Sequence, residues 1–555
     1  MKISRIVLHN FRSIKEQTFN LKDYSLLIGA NNSGKTNIID ALRIFYEKEK
    51  IDKEDSPKFE TADQESWIEI EYHLRDEEFA NLKDEYKQES NTLKVRKYLK
   101  SSDSNRVKSN QSNIYGYEKD SLSDNLFYGA KNISEAKLGD VVYIPEVAKV
   151  DEYTKLSGPS AFRDSLNFVV KKVVKSSPSF ETLSKSFVEF NDKFKTEPSK
   201  DGISIQNFID DVNKEIKDWD ISFGVEISQI KPEEIIKHLV SHYLEDKNLN
   251  DSKLDVSSFG QGLQRHLIYT LIKLSTKYQD IPIKKEKKEF APEFTLILFE
   301  EPEAFLHPAQ QEILNLSLKK LSSQNTQQVL ISTHSPLFVS KNIEDVPSLL
   351  KLTKEKGETI IYQVDDDSLQ KILKENKELK KILEKKITDK DLEEEFIRYS
   401  LWLDSERCSV FFADTILICE GATEKALIDY LIKNNIISLE NKQVYILDAM
   451  GKYNIHRYMN LFNKLGIKHS VLFDRDKDEE ENKKINEFIK NNKNKFTLNI
   501  HLFNKDLEDL LEVNPVSGNE RYKKPLNVMW HYRNDKIKQE KIDELIKIVK
   551  ELIEK

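Results

Sequence analysis

The sequence predicts an α/β protein with two separate parallel-sheet units and a helical insert splitting the first. Three observations carry this. The glycine-rich loop "GANNSGKT" (29–36) stands between the apolar run "SLLI" and an amphipathic helix. Two further apolar runs, "LILF" and "VLIS", lead directly into acids and a histidine. Near the C-terminus two more apolar runs end on Glu420 and Asp474, each followed within a few residues by another acid. Short apolar runs that stop on polar residues are the pattern of buried parallel strands, whose C-terminal edge holds the ligand.

Size and charge bound the reading. A chain of 555 residues exceeds one typical domain, so at least two are expected. The net charge of −8 requires any DNA-binding surface to be a local basic patch. Two cysteines, Cys408 and Cys419, exclude a disulfide framework and a four-cysteine zinc site. They fit a reducing cytoplasm. The N-terminal "MKISRIVLHNFRSIK" alternates as a strand does and is no signal peptide. No apolar run reaches the ~20 residues of a membrane span. A cytoplasmic protein with no membrane partner is expected.

Residues 1–75 read as strand, strand, phosphate loop, helix and strand, the last being "SWIEIEYHL". Residues 76–135 are polar, and "SSDSNRVKSNQSN" is the best loop candidate. "DVVYIPEV" (140–147) is a strand stopped by Pro145. From about 160 to 250 the pattern is helical and charged, an insert of the kind used for dimerisation. The α/β pattern resumes near 254. "DSLQKILKENKELKKILEKKITDKDLEEEFIRYSL" reads as a solvated connecting helix pair. The expected boundaries are 1–159 and 251–365 for the two parts of the first domain, 160–250 for the insert, 366–404 for the linker and 405–555 for the last domain.

"GANNSGKT" matches G-x-x-x-x-G-K-[ST] in full, in the strand–loop–helix context the motif needs. Its glycines let backbone N–H groups face phosphates at a helix N-terminus. Gly29, Asn31, Asn32, Ser33, Gly34, Lys35, Thr36 and Asn37 are the candidate nucleotide contacts. Lys35 would reach the β/γ-phosphates of ATP and Thr36 would ligate one Mg²⁺. "LILFEEPEAFLHP" (296–308) supplies Glu300 for the metal and Glu301 to orient the attacking water. In "VLISTHSP" (329–336), His334 stands where it could touch the γ-phosphate. This order resembles the ABC-type ATPases, whose switch histidine His334 would be. "VSSFGQGLQRHLIYTL" (256–271) then resembles their signature loop, with Ser258, Gly260 and Gly262 as candidate nucleotide contacts. "LHNFRSI" resembles the start of ABC-type chromosome and repair ATPases, in which Arg12 would approach the nucleotide. The resemblance implies a homodimer or larger assembly, one subunit closing on ATP held by another.

The second constellation has no nucleotide signature. Glu420 ends a strand, and Glu424 lies four residues on, in a first helical turn where an acid also suits the helix dipole. In "HSVLFDRDKDEE", Asp474 and Asp476 are two residues apart, so on a strand both leave one face. Such carboxylates repel unless cations sit among them. Their hard oxygens suit Mg²⁺ or Mn²⁺, and a pair of ions is the usual device for phosphodiester cleavage.

Strand–Glu–Gly followed by strand–Asp-x-Asp resembles the Toprim domain. With "VYILDAMGKYNIHRYMNLFNKLGI" between the strands, and an ABC-type ATPase before them, the chain resembles the overcoming-lysogenization-defect (OLD) nucleases. The resemblance covers roughly 1–75, 140–150, 254–340 and 405–530. It implies an N-terminal ABC-type ATPase, a helical dimerisation insert and a C-terminal Toprim nuclease. Glu420, Asp474 and Asp476 become catalytic and metal-binding, with Glu424 a further ligand of two ions. "FNKDLEDLLE" resembles the family's next acidic element, with Glu508 as ligand and Asp506 or Asp509 as alternatives. "ERYKKPLNVMW" resembles its basic element, with Lys524, or Lys523, steadying the phosphate. Where family members often show two glycines after the middle strand, "DAMGK" has one. The implied function is an ATP-using DNA endonuclease in anti-phage defence. RNA is the alternative substrate, and a helicase-like protein or a reverse transcriptase with its DNA are implied partners. Two rivals stand beside it: a repair or recombination ATPase without cleavage, and a nucleotide-sensing scaffold for a partner effector.

Overall fold

A computed structural model of the chain describes residues 1–146 except 58, then 178–194, 196–219, 221–225, 243–246, 252–254, 258–260, 262–264, 266–267 and 270, and 290–554 except 291, 324, 340–341, 384–389, 405, 440–441, 477–478 and 517. Two compact units emerge: Met1–Glu146 with Lys287–Lys555, and Val147–Glu286.

The first unit holds three sheets. One is antiparallel, ordered β2 (Ile14–Asn20), β1 (Lys2–Phe11), β4 (Ser66–His73), β5 (Thr92–Lys100), β6 (Ile114–Glu118), β7 (Ser121–Leu126). Its last three strands come from the polar stretch 76–135, and the loop candidate 101–113 connects β5 to β6. The stretch owes its polarity to the outward face. Arg96 pairs across the strands with Glu69 at 2.6 Å and lies over the Trp67 ring, while Lys94 meets the same carboxylate at 2.9 Å. Leu93 and Val95 point the other way and are buried. A half-solvated antiparallel sheet can carry that much charge.

The second sheet runs β14 (Glu358–Gln363), β13 (Leu349–Glu355), β3 (Tyr24–Ile28), β12 (Gln327–Ser332), β11 (Thr295–Glu300), β8 (Asp140–Ile144). All neighbours are parallel except β13 and β14, which form a hairpin. Every residue of β3 and β12 is buried. The strand leading to His334 thus lies between the phosphate-loop strand and the acidic strand. Helix Lys35–Phe45 packs Ile38, Leu42 and Phe45 into the core shared by these two sheets. Burying such a side chain contributes about 1.5–3 kcal/mol.

The third sheet is wholly parallel, ordered β16 (Val444–Asp448), β15 (Thr415–Cys419), β17 (Lys468–Phe473), β18 (Thr497–Leu502). The chain steps from β15 to one side, then crosses to the other. That reversal opens a crevice at the C-terminal ends of β15 and β17. Helix Gln539–Ile553 closes the core below with Leu545, Val549 and Leu552.

Where described, the connecting segment is helical, over Asp366–Glu375, Glu378–Ile382 and Lys390–Trp402, but not simply solvated. Helices Asp366–Glu375 and Lys390–Trp402 bury Leu369, Ile372, Tyr399 and Trp402. Trp402 stacks on Tyr458, and Arg457 grips the buried Glu395 with two bonds of 2.7 and 2.5 Å. Its charges thus hide an apolar face seated on helix Lys452–Lys464.

In the second unit, helices Pro178–Phe194 and Ile205–Glu215 and the pair β9 (Leu244–Asp246), β10 (Ser252–Leu254) are described. Of the insert expected over 160–250, residues 160–177, 195, 220, 226–242 and 247–250 lie outside the described residues. Among the described residues no helix is long and apolar enough to cross a membrane.

Candidate functional sites

The phosphate loop leaves β3 at Gly29 and enters its helix at Gly34, both at positive φ. A Cβ at Gly29 would collide with Leu352 O, and one at Gly34 with Thr359. Both glycines are therefore required by the β13–β14 hairpin as well as by a phosphate. Lys35 is buried, and its Nζ donates to Gly29 O and Ala30 O at 3.0 Å each. Burial lowers its pKa to about 8 against the pull of Glu301, Glu303 and Glu300. Ser33 Oγ is buried without a hydrogen-bond partner. An orphaned donor in a loop of backbone N–H groups fits a bound phosphate.

A cavity of about 630 Å³ opens over the loop. Asn31, Asn32, Lys35, Thr36 and Asn37 line one side, with Glu300, Glu301 and His334 opposite. Tyr143 OH donates to Glu300 at 2.6 Å. Glu301 stands at φ 42°, just past β11, with its carboxylate 3.4 Å from His334 Nε2. Burial, then Glu146 and Glu303, raise the Glu301 pKa. Burial and Lys35 push the imidazole down to about 4, so His334 is neutral at pH 7. The acid beside a neutral imidazole can orient a water.

Arg12 does not line the cavity. It is held by Asp40 at 2.6 Å and Asp55 at 2.8 Å, reaching only Asn37 of the lining set. Ser258, Gly260 and Gly262 belong to the second unit, where Gly260 O accepts from Leu263 N and Gln264 N at the start of a helical turn. Two residues were missed. Glu146, just beyond β8, lines the cavity. Glu303, the last acid of "EEPE", is half-buried and accepts the backbone N–H of His334 at 2.5 Å, anchoring the histidine's loop. The third acid of that motif was the available signal.

The second cluster occupies the crevice between β15 and β17. Glu420 Oε2 accepts from Asp474 N at 3.1 Å, joining the two strand ends. Glu424 is buried and accepts from Gly421 N at 3.0 Å, so it does cap its helix. Glu508 is buried in the short helix after β18, and Lys524 Nζ reaches it at 3.2 Å. Lys523 instead turns to Glu520. Asp506 caps the helix of Glu508 by accepting from Asp509 N.

The expectation that Asp474 and Asp476 share a face is corrected. β17 ends at Phe473, before either acid, and Asp476 takes φ 59°. Strand alternation therefore no longer governs them. Asp474 is buried, whereas Asp476 is partly exposed and bonds Lys452 Nζ at 2.5 Å. Lys452, itself 3% exposed, was not singled out in the sequence; it follows the lone glycine of "DAMGK".

Burial, then Glu424, Glu420 and Asp476, push the Asp474 pKa up to about 9. Burial and Glu420 push Glu424 up to about 7. Asp474 Oδ1 is buried without a partner. This crowded acid set with an unsatisfied oxygen fits hard divalent cations. Among the described residues, however, no three acid, histidine or cysteine side chains close around one point. Glu424 is turned to its own helix start and Asp476 to Lys452, which accounts for the opening.

The family model described as the AAA ATPase domain matches residues 1–339. That described as the overcoming lysogenization defect protein-like TOPRIM domain matches residues 411–476. The chain is 24% identical over 500 residues to the Old nuclease of Escherichia phage P2, covering 86% of this chain and 77% of that protein. It is 25% identical over 517 residues to endonuclease GajA of Bacillus cereus strain VD045, covering 87% and 76%. Among solved structures, the SmcHead bound to the C-winged helix domain of ScpA aligns at 16% identity and a TM-score of 0.38, over 66% of this chain and 99% of that one.

Proposed function

Because the chain belongs to the AAA ATPase domain family and carries an OLD-like Toprim domain, we propose that it is an ATP-hydrolysing, divalent-metal-dependent DNA endonuclease serving in anti-phage defence. The observation that carries this is the pair of acid clusters, each at the C-terminal edge of its own parallel sheet. One faces a phosphate loop across a cavity and the other does not. The similarity to a nuclease and an endonuclease over most of the chain supports the second cluster as a cutting centre.

In the ATPase, Lys35 exchanges its bonds to Gly29 O and Ala30 O for the β/γ-phosphates. Thr36 and Glu300 would hold Mg²⁺. Glu301 orients water, and neutral His334 contacts the γ-phosphate. Ser258, Gly260 and Gly262 would complete the site from a second copy, making the protein a dimer or larger. In the nuclease, Glu420, Glu424, Asp474, Asp476 and Glu508 would hold two Mg²⁺ or Mn²⁺ ions. Bound there, the ions would activate water and stabilise the leaving oxygen. Lys524 steadies the scissile phosphate. The segments 1–159 and 251–365, 160–250, 366–404 and 405–555 are the corresponding ATPase, insert, linker and nuclease parts.

The β13–β14 hairpin supports coupling of the two reactions. Thr359 Oγ1 donates to Ser33 O at 3.0 Å in the phosphate loop. On the same hairpin, Lys351 Nζ donates to Phe411 O at 2.6 Å, just before β15. Tyr362 packs edge-on against Phe496, just before β18.

The test is plasmid cleavage with Mg²⁺ or Mn²⁺, with and without ATP, beside Asp474→Ala and Lys35→Ala. Supercoiled DNA is expected to be nicked or linearised, Asp474→Ala to abolish cutting, and Lys35→Ala to alter its response to ATP. Intact ATP-binding protein that leaves DNA uncut with every metal would overturn the nuclease reading. It would favour a repair ATPase or a scaffold.

A further inference from the structure

Helix Lys524–Arg533 presents two faces of different character. Val528 is fully buried, and Met529 and Tyr532 pack against the core of the third sheet. Tyr532 meets Tyr430, on the helix that begins beside Glu424, at 5.7 Å between ring centres. Asn527 Nδ2 donates to Asn514 O at 2.9 Å, tying the helix to the segment after Glu508. Lys524 points inward to Glu508. The register of this helix against the acid cluster is therefore set.

Its other face is open. Tyr522 is 73% exposed, Leu526 69% and Trp530 55%. Leu526 and Trp530 are four apart on the helix and so share one stripe, and Tyr522 lies just before it, in the turn Gly518–Lys523. Lys523 lies over the Tyr522 ring at 5.6 Å. Residues 520–536 contain five Lys or Arg and two acids, in a chain of net charge −8. This is the local basic patch that so acidic a chain needs if it is to hold DNA.

We propose that Tyr522, Leu526 and Trp530 form a ridge that binds single-stranded DNA at the rim of the Toprim site. The proposal rests on the nuclease reading above and specifies its substrate. Aromatic side chains stack on bases only where the base faces are exposed, which a closed duplex does not offer. Arg521, Lys523 and Arg533 attract the backbone without reading its sequence. Lys524 joins the ridge to the acids, so a strand laid along the stripe leads its phosphate to the reacting centre. The charge complementarity and this continuity favour a nucleic-acid strand over a second copy of the chain.

The test is fluorescence anisotropy of a short labelled oligothymidine, and of a duplex of equal length, with the full chain in EDTA. Trp530→Ala and Tyr522→Ala are each expected to weaken single-strand binding about tenfold. Trp530→Phe is expected to restore it, and duplex affinity to move less. The proposal falls if the alanine variants bind the oligonucleotide as the parent does. It also falls if Trp530→Ala changes the sedimentation mass, because the ridge would then be a contact between copies. Binding is read without divalent metal, so the two ideas fail separately. A parent that cuts DNA while its ridge variants bind normally keeps the nuclease and loses the ridge. A ridge that binds in a protein that never cuts does the reverse.

Discussion

Lys452 shows what a single buried side chain does in an acid crevice. Its ammonium meets Asp476, and it opposes the rise that burial forces on the Glu420 pKa. Without this ammonium, Asp476 and the buried Glu420 face each other with less compensation, which destabilises the crevice. Lys452→Met is therefore expected to lower Tm in EDTA by several degrees. Added Mg²⁺, by supplying the missing positive charge, should recover more of the loss than it adds to the parent. Differential scanning fluorimetry with and without metal reads both. An equal shift in parent and variant would show that Lys452 is only packing. His456 and His469 give a pH dependence. Burial pushes them down to about 3 and about 4, so both are neutral in the folded chain. The unfolded chain takes up their protons as pH falls below the ordinary histidine value, so stability drops in that direction. Each contributes a loss of about 1 kcal/mol by about pH 5.5. Urea midpoints across this range check it, and His469→Gln should flatten the slope.

At the scale of elements, the β13–β14 hairpin is the part whose role no motif announces. "LLKLTKEKGETIIYQ" reads as an ordinary hairpin around a glycine turn, and its residues match no signature. Yet Thr359 holds the phosphate loop, and Lys351 reaches the segment that enters the third sheet. Burial lowers the Lys351 pKa to about 8. Lys351→Met keeps the stem and removes the donor to Phe411 O. ATP hydrolysis alone, and cleavage without nucleotide, are expected to stay near the parent's. The change that ATP makes in cleavage rate should shrink severalfold, read by plasmid nicking with and without ATP. An unchanged ATP response would rule out this route of coupling. Segment 366–402 teaches a related lesson. Its charge suggested solvent on all sides, but Tyr399, Trp402 and the Glu395–Arg457 pair bind it to helix Lys452–Lys464.

At the scale of the molecule, the order of motifs was legible because each was short and local. A glycine-rich loop, a strand ending in acids and a strand ending before a histidine require their residue types wherever they occur. Glu301, His334, Glu420 and Asp474 could thus be named from the chain alone. What the chain alone determined was the set of candidate side chains and their assignment to two separate sheets. The tertiary structure decided which groups meet: Lys524 rather than Lys523 beside Glu508, Lys452 on Asp476, Glu303 on the histidine loop, and Arg12 between Asp40 and Asp55. The physical reason is range. Local motifs follow from backbone geometry over a few residues. Charge pairing and burial follow from sheet order, which joins residues tens to hundreds of positions apart and leaves no fixed spacing to read.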